Sequence, residues 1–295
     1  MRLHGAEIAD TFAEAFPMWG SRVLITAATP AWALEAGRSM TGFATSVIGC
    51  KCEASIERAL APDETPDGRP GVSALLFAMD REGVGKRLVE RVGQCVLTSP
   101  TAACFNGVAA EDTVDVGGQL RFFGDGYQSS KVLDGQRYWR VPVMEGEFLV
   151  QERFGVVEGV AGGNIIMLGT HAESALRAAE AAARAMRSVE GVIMPFPGGI
   201  ARSGSKVGSR YGALPASTND ALCPTLRGQV EHTEVPPDVE AVFEIVIDGL
   251  GLEPVREAMR RGLVAAAEAG ASHVTAGNYG GKLGPHHIHL RELMP

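Results

Sequence analysis

Each half of this 295-residue chain runs through the same order of apolar periodicities, β-α-β-β-α-β, and that repetition constrains the fold more than any single motif. In the first half, residues 22–28 (RVLITAA) read as a strand, with Thr29 as N-cap and Pro30 at the first position of a helix to about Thr45. A strand near Val47, a strand at 72–79, a helix at 84–95 with Leu88, Val92 and Cys95 on one face, and an extended segment at 119–123 follow. The second half offers strands at 165–168 and 192–194 around a helix at 172–189. Then come a strand at 242–247, a helix at 254–269, and strands at 273–276 and 288–290. The expected fold is α/β of the α+β kind: two similar lobes, each a ferredoxin-like split βαβ sandwich with a mostly antiparallel sheet and long loop insertions. A glycine turn at Glu145–Gly146, between two apolar extended segments, sets the expected domains at 1–145 and 146–295. The helix from Ala172 to Ser188 carries alanine at eight positions, which suits close packing against another element and equally suits an ordinary surface helix.

Residues 195–224, PFPGGIARSGSKVGSRYGALPASTNDALCP, interrupt the second repeat with no helical or strand period. Structureless connections of this length inside compact domains are functional or disordered. Here Phe196, Ile200, Val207, Tyr211 and Leu214 recur as anchors, so the segment reads as an ordered loop, either ligand-bearing or simply a surface connection.

The net charge of −8 argues against a whole-surface attraction to nucleic acid or anionic membrane. No apolar run approaches the length of a membrane span, and residues 1–10 lack an apolar signal core, so a cytoplasmic location is expected. Five cysteines without a CxxC pair fit reduced thiols, and neither structural zinc nor an iron–sulfur cluster is expected. GxGxxG does not follow a strand, and the phosphate-loop pattern fails at Ala276 and Leu283 around Lys282. No serine has glycine two residues away on both sides, and the SxxK at Ser203–Lys206 lacks its companion motifs. His287 and His289 would share a strand face without a carboxylate at ligand spacing, and read as solvent-facing.

The positive signals are glycine turns with polar handles. Asp125-Gly126 in FFGDGYQ is a hairpin-type turn signal. VAGGN, ending at Asn164, and VTAGN, ending at Asn278, are near-duplicates that suit a polar, uncharged ligand surface. Glu244 stands in the middle of the apolar strand AVFEIVID, on one face with Val242, Val246 and Asp248. There it must meet a cation, take a proton or line a cleft; a carboxyl with a raised pKa would be a useful acid near neutrality.

Taken together, DTFAEAF (10–16), GFATSVI (42–48), ETPDGRPG (64–71), FFGDGYQ, GVAGGN (159–164), PFPGGI, SKVGS, LPASTND and AGNYGGKLG resemble the formylmethanofuran:tetrahydromethanopterin formyltransferase family over essentially the whole chain. The resemblance implies reversible transfer of a formyl group between the amine of methanofuran, or methylofuran, and N5 of tetrahydromethanopterin. These are carrier substrates, and the family uses neither metal nor prosthetic group for the step. It assigns the catalytic role to Glu244. Methanofuran-type carriers bear carboxylates, for which Lys206, Arg210 and Lys282 are the candidate cations, with Arg202 a lesser one. Ser205, Thr218 and Asn219 are candidates for hydrogen bonds to the carriers, and Gly198, Gly199 and Asn164 for backbone and amide contacts. Solvation of the cations and turn-internal bonding of the polar groups are the alternatives.

The modest charge and the abundance of Ala and Arg point to the methylotrophic bacterial branch. There such chains join a formyltransferase/hydrolase complex that serves one-carbon metabolism and formaldehyde oxidation. A homo-oligomer of the archaeal type is the alternative partner arrangement. Two further readings stand beside the transferase: a catalytically silent carrier-binding or assembly subunit, and an amide hydrolase releasing formate.

Overall fold

A computed structural model describes residues 1–295, and the chain divides into two compact units, one formed by 17–159 and one by 1–16 together with 160–295. In the 17–159 unit, residues 19–26 of the long strand Phe12–Thr26 pair antiparallel with Gly71–Ala78, which in turn pairs with Glu53–Leu60. Ala103–Asn106 adds on the other side, followed in parallel by Gly146–Gln151 and then by the antiparallel strands Gln136–Val143 and Ser129–Leu133. Two helices, Pro30–Thr41 and Arg81–Arg91, bury Ala36, Met40, Val84 and Leu88 against Val23, Ile25, Leu76 and Phe148. Thr29 caps the first helix as its sequence requires, its hydroxyl accepting from the Trp32 N–H at 3.3 Å.

Three local expectations in this unit are corrected. The segment near Val47 is a helical turn, Val47–Cys50, because the Ser46 hydroxyl caps it and Lys51 closes it with φ +66°; the strand begins at Glu53. Residues 119–123 are helical as well, in the turns Gly117–Leu120 and Arg121–Gly124. Asp125-Gly126 terminates those turns rather than a hairpin. The tight hairpin of the unit is at Asp134-Gly135, where both residues have positive φ, and Glu145–Gly146 lies at the turn of the next hairpin.

The 1–16/160–295 unit has the strand order Arg2–Leu3, Ala6–Ile8, His273–Thr275, residues 160–169, Ala241–Gly249, Val192–Ile193. The pairings are antiparallel apart from His273–Thr275 against Ala6–Ile8. A separate pair joins His286–His289 to residues 12–15. Strand alternation sends Ile165, Met167, Ile245, Ile247 and Val274 to one face. There they form a core with Ala178, Ala182 and Met186 of the helix Ala172–Met186 and with Met259, Leu263 and Ala266 of the helix Leu252–Glu268.

The alanines of the first helix are therefore a contact surface: Ala175, Ala178, Ala179, Ala182 and Ala183 are all buried. The second helix answers with Gly262, where an added Cβ would stand 2.0 Å from Met186 Cε and 3.2 Å from Ile165 Cδ1. Gly262→Val is expected to lower stability by about 1–3 kcal/mol, the usual range for overpacking, read as a shifted denaturation midpoint. A midpoint at or above that of the parent protein would show that Met186 swings aside freely.

On the opposite face an antiparallel sheet is commonly left to solvent. Here Ile166, Leu168 and Val242 are covered by Leu222 from the long irregular segment and by Val235 and Val239 from the stretch that follows it. The second layer on this side thus comes from Leu222 and the residues after it, and the expected apolar anchors are corrected: Val207, Tyr211 and Leu214 are exposed, and Ile200 packs against the helix-side core instead.

Candidate active site

Glu244 is aimed at that covered face. In the register of the sheet Ile166 lies opposite Glu244 on one side and Thr275 on the other, so the three form a row across adjacent strands. The irregular segment is stitched to the strand at this same residue: the Ala201 N–H donates to the Glu244 carbonyl at 2.7 Å, and the Glu244 N–H donates to the Ala201 carbonyl at 3.1 Å. Between them lies a cavity of 390 Å³ whose walls include Glu244, Phe243, Ile166, Ala201, Arg202, Ser203, Gly204, Asn219, Cys223 and Thr225. The carboxyl is half-buried, and burial pushes its pKa up to about 7. Near neutrality it holds a proton about half the time, which is the poise of a group that both gives and takes protons.

The other sequence-derived candidates fall into three places. Asn219 joins Glu244 in the 390 Å³ cavity. Lys206, Arg210 and Thr218 line a second cavity of 710 Å³ together with Tyr211 and Ser217. Within it the Lys206 ammonium donates to both oxygens of Asp220 at 2.7 Å, which holds the Asp220 carboxyl below its ordinary range and leaves Arg210 as the exposed cation. Ser205 and Lys282 are exposed outside both cavities.

Gly198 has φ +65° with open space around its α-carbon, and its carbonyl accepts from Arg187 at 2.6 Å. Gly199 is buried with φ +83°, and its N–H is taken by the Phe196 carbonyl at 2.7 Å. Asn164 is 7% exposed and its amide works within the fold: Nδ2 donates to the Gly162 and Gly277 carbonyls at 3.1 and 3.0 Å, and Oδ1 accepts from the Gly277 N–H at 2.6 Å. The near-duplicate motifs ending at Asn164 and Asn278 are thus bonded to one another. His287 is exposed and His289 half-buried, and their rings flank Phe12 at 4.7 and 5.3 Å between centroids. No three His, Cys, Asp or Glu side chains gather as a metal site.

Two residues near the site are not among the candidates drawn from the sequence. Glu14, 1% exposed, accepts hydrogen bonds from the N–H groups of Tyr279 at 2.7 Å, Gly281 at 3.0 Å, Gly284 at 2.9 Å and Leu283. Burial pushes its carboxyl up, and the four N–H groups more than offset that and hold it below the ordinary carboxylate range. Tyr279 is the other. Burial raises its phenol, and the charges of Glu244 and Glu14 raise it further, so the hydroxyl lies within the electrostatic reach of both. An acid at alternate-residue spacing in DTFAEAF, on a strand whose neighbours Ala13 and Ala15 are buried, was the available clue to Glu14.

A single carboxyl poised near neutrality, in a pocket roofed by a polar glycine-rich segment, has the make-up of an acid–base site. Known proteins then supply the family. The family model described as "Formylmethanofuran-tetrahydromethanopterin formyltransferase" matches residues 1–143, and that for the "FTR, proximal lobe" matches residues 146–293. A formylmethanofuran–tetrahydromethanopterin formyltransferase of Methylococcus capsulatus is 58% identical over the whole of both chains. The solved structure of the Methanosarcina barkeri enzyme superposes with a TM-score of 0.95 at 50% identity, covering 99% of this chain and 100% of that one. A chain of the formyltransferase/hydrolase complex of Methylorubrum extorquens, solved with methylofuran, superposes with a TM-score of 0.96 at 51% identity, covering 99% and 98%. The chain belongs to the formylmethanofuran–tetrahydromethanopterin formyltransferase family.

Proposed function

We propose that this protein transfers a formyl group reversibly between the amine of methanofuran or methylofuran and N5 of tetrahydromethanopterin, with Glu244 as the acid–base group. The observation that carries the chemistry is the Glu244 carboxyl, pushed up to about 7 within the 390 Å³ cavity. In the forward step the pterin N5 lone pair forms a bond to the formyl carbon, and the carbonyl π pair moves to oxygen. Collapse of that intermediate breaks the bond to the furan-borne nitrogen. The N5 proton must leave and the departing amine must gain one. A carboxyl with equal protonated and ionised populations at neutrality relays that proton without a large driving-force penalty in either direction, which suits a reversible reaction. Holding both carriers in register supplies much of the remaining acceleration.

The 710 Å³ cavity, with Arg210, Lys206 and Thr218, is assigned to the polar portion of a carrier, and Asn219, Gly198, Gly199, Ser205, Lys282 and Asn164 to its positioning, directly or through the loops they hold. The 50–58% identity to members from methylotrophic bacteria and from a methanogen supports a place in one-carbon metabolism. Membership in a formyltransferase/hydrolase complex and a cytoplasmic location complete the reading. No helix is long and apolar enough to cross a membrane. Lobes at 1–145 and 146–295 are proposed as the family's division of the sequence, distinct from the compact units 17–159 and 1–16 with 160–295, and supported by family models that end at 143 and begin at 146.

Purified protein given the formylated furan carrier and tetrahydromethanopterin should produce the spectral change of N5-formylation, with no formate released when the pterin is omitted. Carrier binding without turnover would sink the transferase reading in favour of a silent binding subunit. Formate release without pterin would favour a hydrolase.

A further inference from the structure

Glu14 is a buried carboxylate that the proposed proton relay does not use. The strand it occupies is otherwise ordinary: Ala13 and Ala15 are fully buried, and His287 lies opposite Glu14 in the register. An ionised carboxylate at 1% exposure is tolerated only when its oxygens are saturated with donors. Its donors come from one short stretch, Tyr279, Gly281, Leu283 and Gly284, and each is a backbone N–H. Successive N–H groups converging on one anion form a nest. Here the anion belongs to the protein, so the nest is filled internally and the path of the loop is fixed around it.

The loop is held at its start as well, by the Asn164 amide on both the N–H and the carbonyl of Gly277. Gly280 and Gly281 have φ +69° and +74°, a path no free chain of L-residues would settle into. Between the two clamps stands Tyr279. Thr275, two residues before Gly277, shares a row with Ile166 and Glu244, so the strand that leads into the loop ends two strands away from the Glu244 strand, roughly 10 Å at ordinary strand spacing. The Tyr279 phenol lies within the electrostatic reach of the Glu244 carboxyl.

We propose that Glu14 is a positioning residue: by gathering the N–H groups of residues 279–284 it fixes the loop so that the Tyr279 phenol is held toward the Glu244 site, where it hydrogen-bonds the formyl oxygen of the bound carrier. This rests on the transferase reading of the Glu244 site.

The test uses the full-length protein in Glu14→Gln, Tyr279→Phe and the double variant. A glutamine at position 14 presents two N–H donors to a nest of donors, so amide hydrogen exchange over residues 279–284 is expected to speed up at least tenfold, with the strand Ala241–Gly249 unchanged. The kcat for formyl transfer is expected to fall about tenfold or more in each single variant, with KM for the carriers within a few-fold. The double variant should be no slower than the slower single one, because both remove the same contact. Additive losses, or a folded Glu14→Gln protein with parental kcat, would overturn the proposal. Were Glu14→Gln not to fold, Gly281→Ala would disturb the φ +74° turn, and with it one of the four N–H bonds to Glu14, while leaving the carboxylate itself in place, and unchanged kcat there would overturn it equally. A parent protein without transfer activity would instead refute the transferase reading, while the exchange measurement would still report whether Glu14 holds the loop.

Discussion

Glu244→Gln is expected to lower kcat for formyl transfer by about 10²–10⁴-fold, the range over which positioned proton transfer contributes. Glutamine keeps the shape and a donor but cannot relay a proton. The pH dependence separates the two roles. If the protonated carboxyl assists the formyl oxygen, activity of the parent protein falls as pH rises through about 7, and the variant is flat across that range. Unchanged turnover at every pH would remove Glu244 from the mechanism.

The same substitution should also change stability, with a definite sign. The folded carboxyl titrates near 7 against an ordinary 4.5, so its contribution is fully present below pH 4.5 and is lost as pH rises through 7. The difference of about 2.5 units corresponds to a ceiling of about 3 kcal/mol, reduced in practice because the group is only half-buried. Glu244→Gln carries no ionisable group there, so relative to the parent it should gain stability between pH 5 and 9. Loss of activity with gain of stability in alkali distinguishes a poised acid from a structural ion-pair partner, whose loss would destabilise.

Gly284→Ala is expected to be the most damaging single-methyl change near the site. An added Cβ would lie 2.2 Å from the Ala15 carbonyl oxygen and 2.7 Å from Phe16 Cβ, and neither neighbour is the free end of a flexible side chain. Either the loop moves off Glu14, whose carboxylate accepts the Gly284 N–H at 2.9 Å, or the strand at residues 12–15 moves. Loss of about 2–3 kcal/mol in thermal or denaturant unfolding is expected, at the upper end for overpacking. A protein with the parental midpoint would show that the loop has an alternative seat. Lengthening to Gly284→Val should be worse, since nothing at this position can absorb volume.

Much of the second half was legible in the sequence because its elements obey simple periods. The strand around Glu244, the helices beginning near Ala172 and Leu252, and the strand at His273 all lie within a few residues of their expected limits. The first half misled where local turn geometry outweighs apolar pattern. Ser46 and Lys51 turn an apolar VIGC into a helical turn, and the run after Gly117 coils where its large side chains suggested a strand.

The site divides the same way. Glu244 was visible because an acid in an apolar strand violates its own surroundings. The roles of Asn164 and Lys206 were only half visible: the sequence marks them as polar groups in glycine-rich turns, but their partners, Gly277 and Asp220, are matters of tertiary pairing. Glu14 was hidden because its partners are main-chain N–H groups, which leave no mark in residue identities.

The division of the chain into a continuous unit and a split one bears on how the protein is made. Residues 17–159 emerge from a ribosome as an uninterrupted block, with every strand of their sheet present once Gln151 is out. The split unit must wait. Glu14 is translated well before its hydrogen-bond donors, which lie 265–270 residues later. At about 5–20 residues per second the carboxylate remains in water for tens of seconds before its loop exists. The seat of Glu14 therefore forms only after residue 284 has been made, and a chain cut before residue 279 is expected to leave that carboxylate without its four N–H partners.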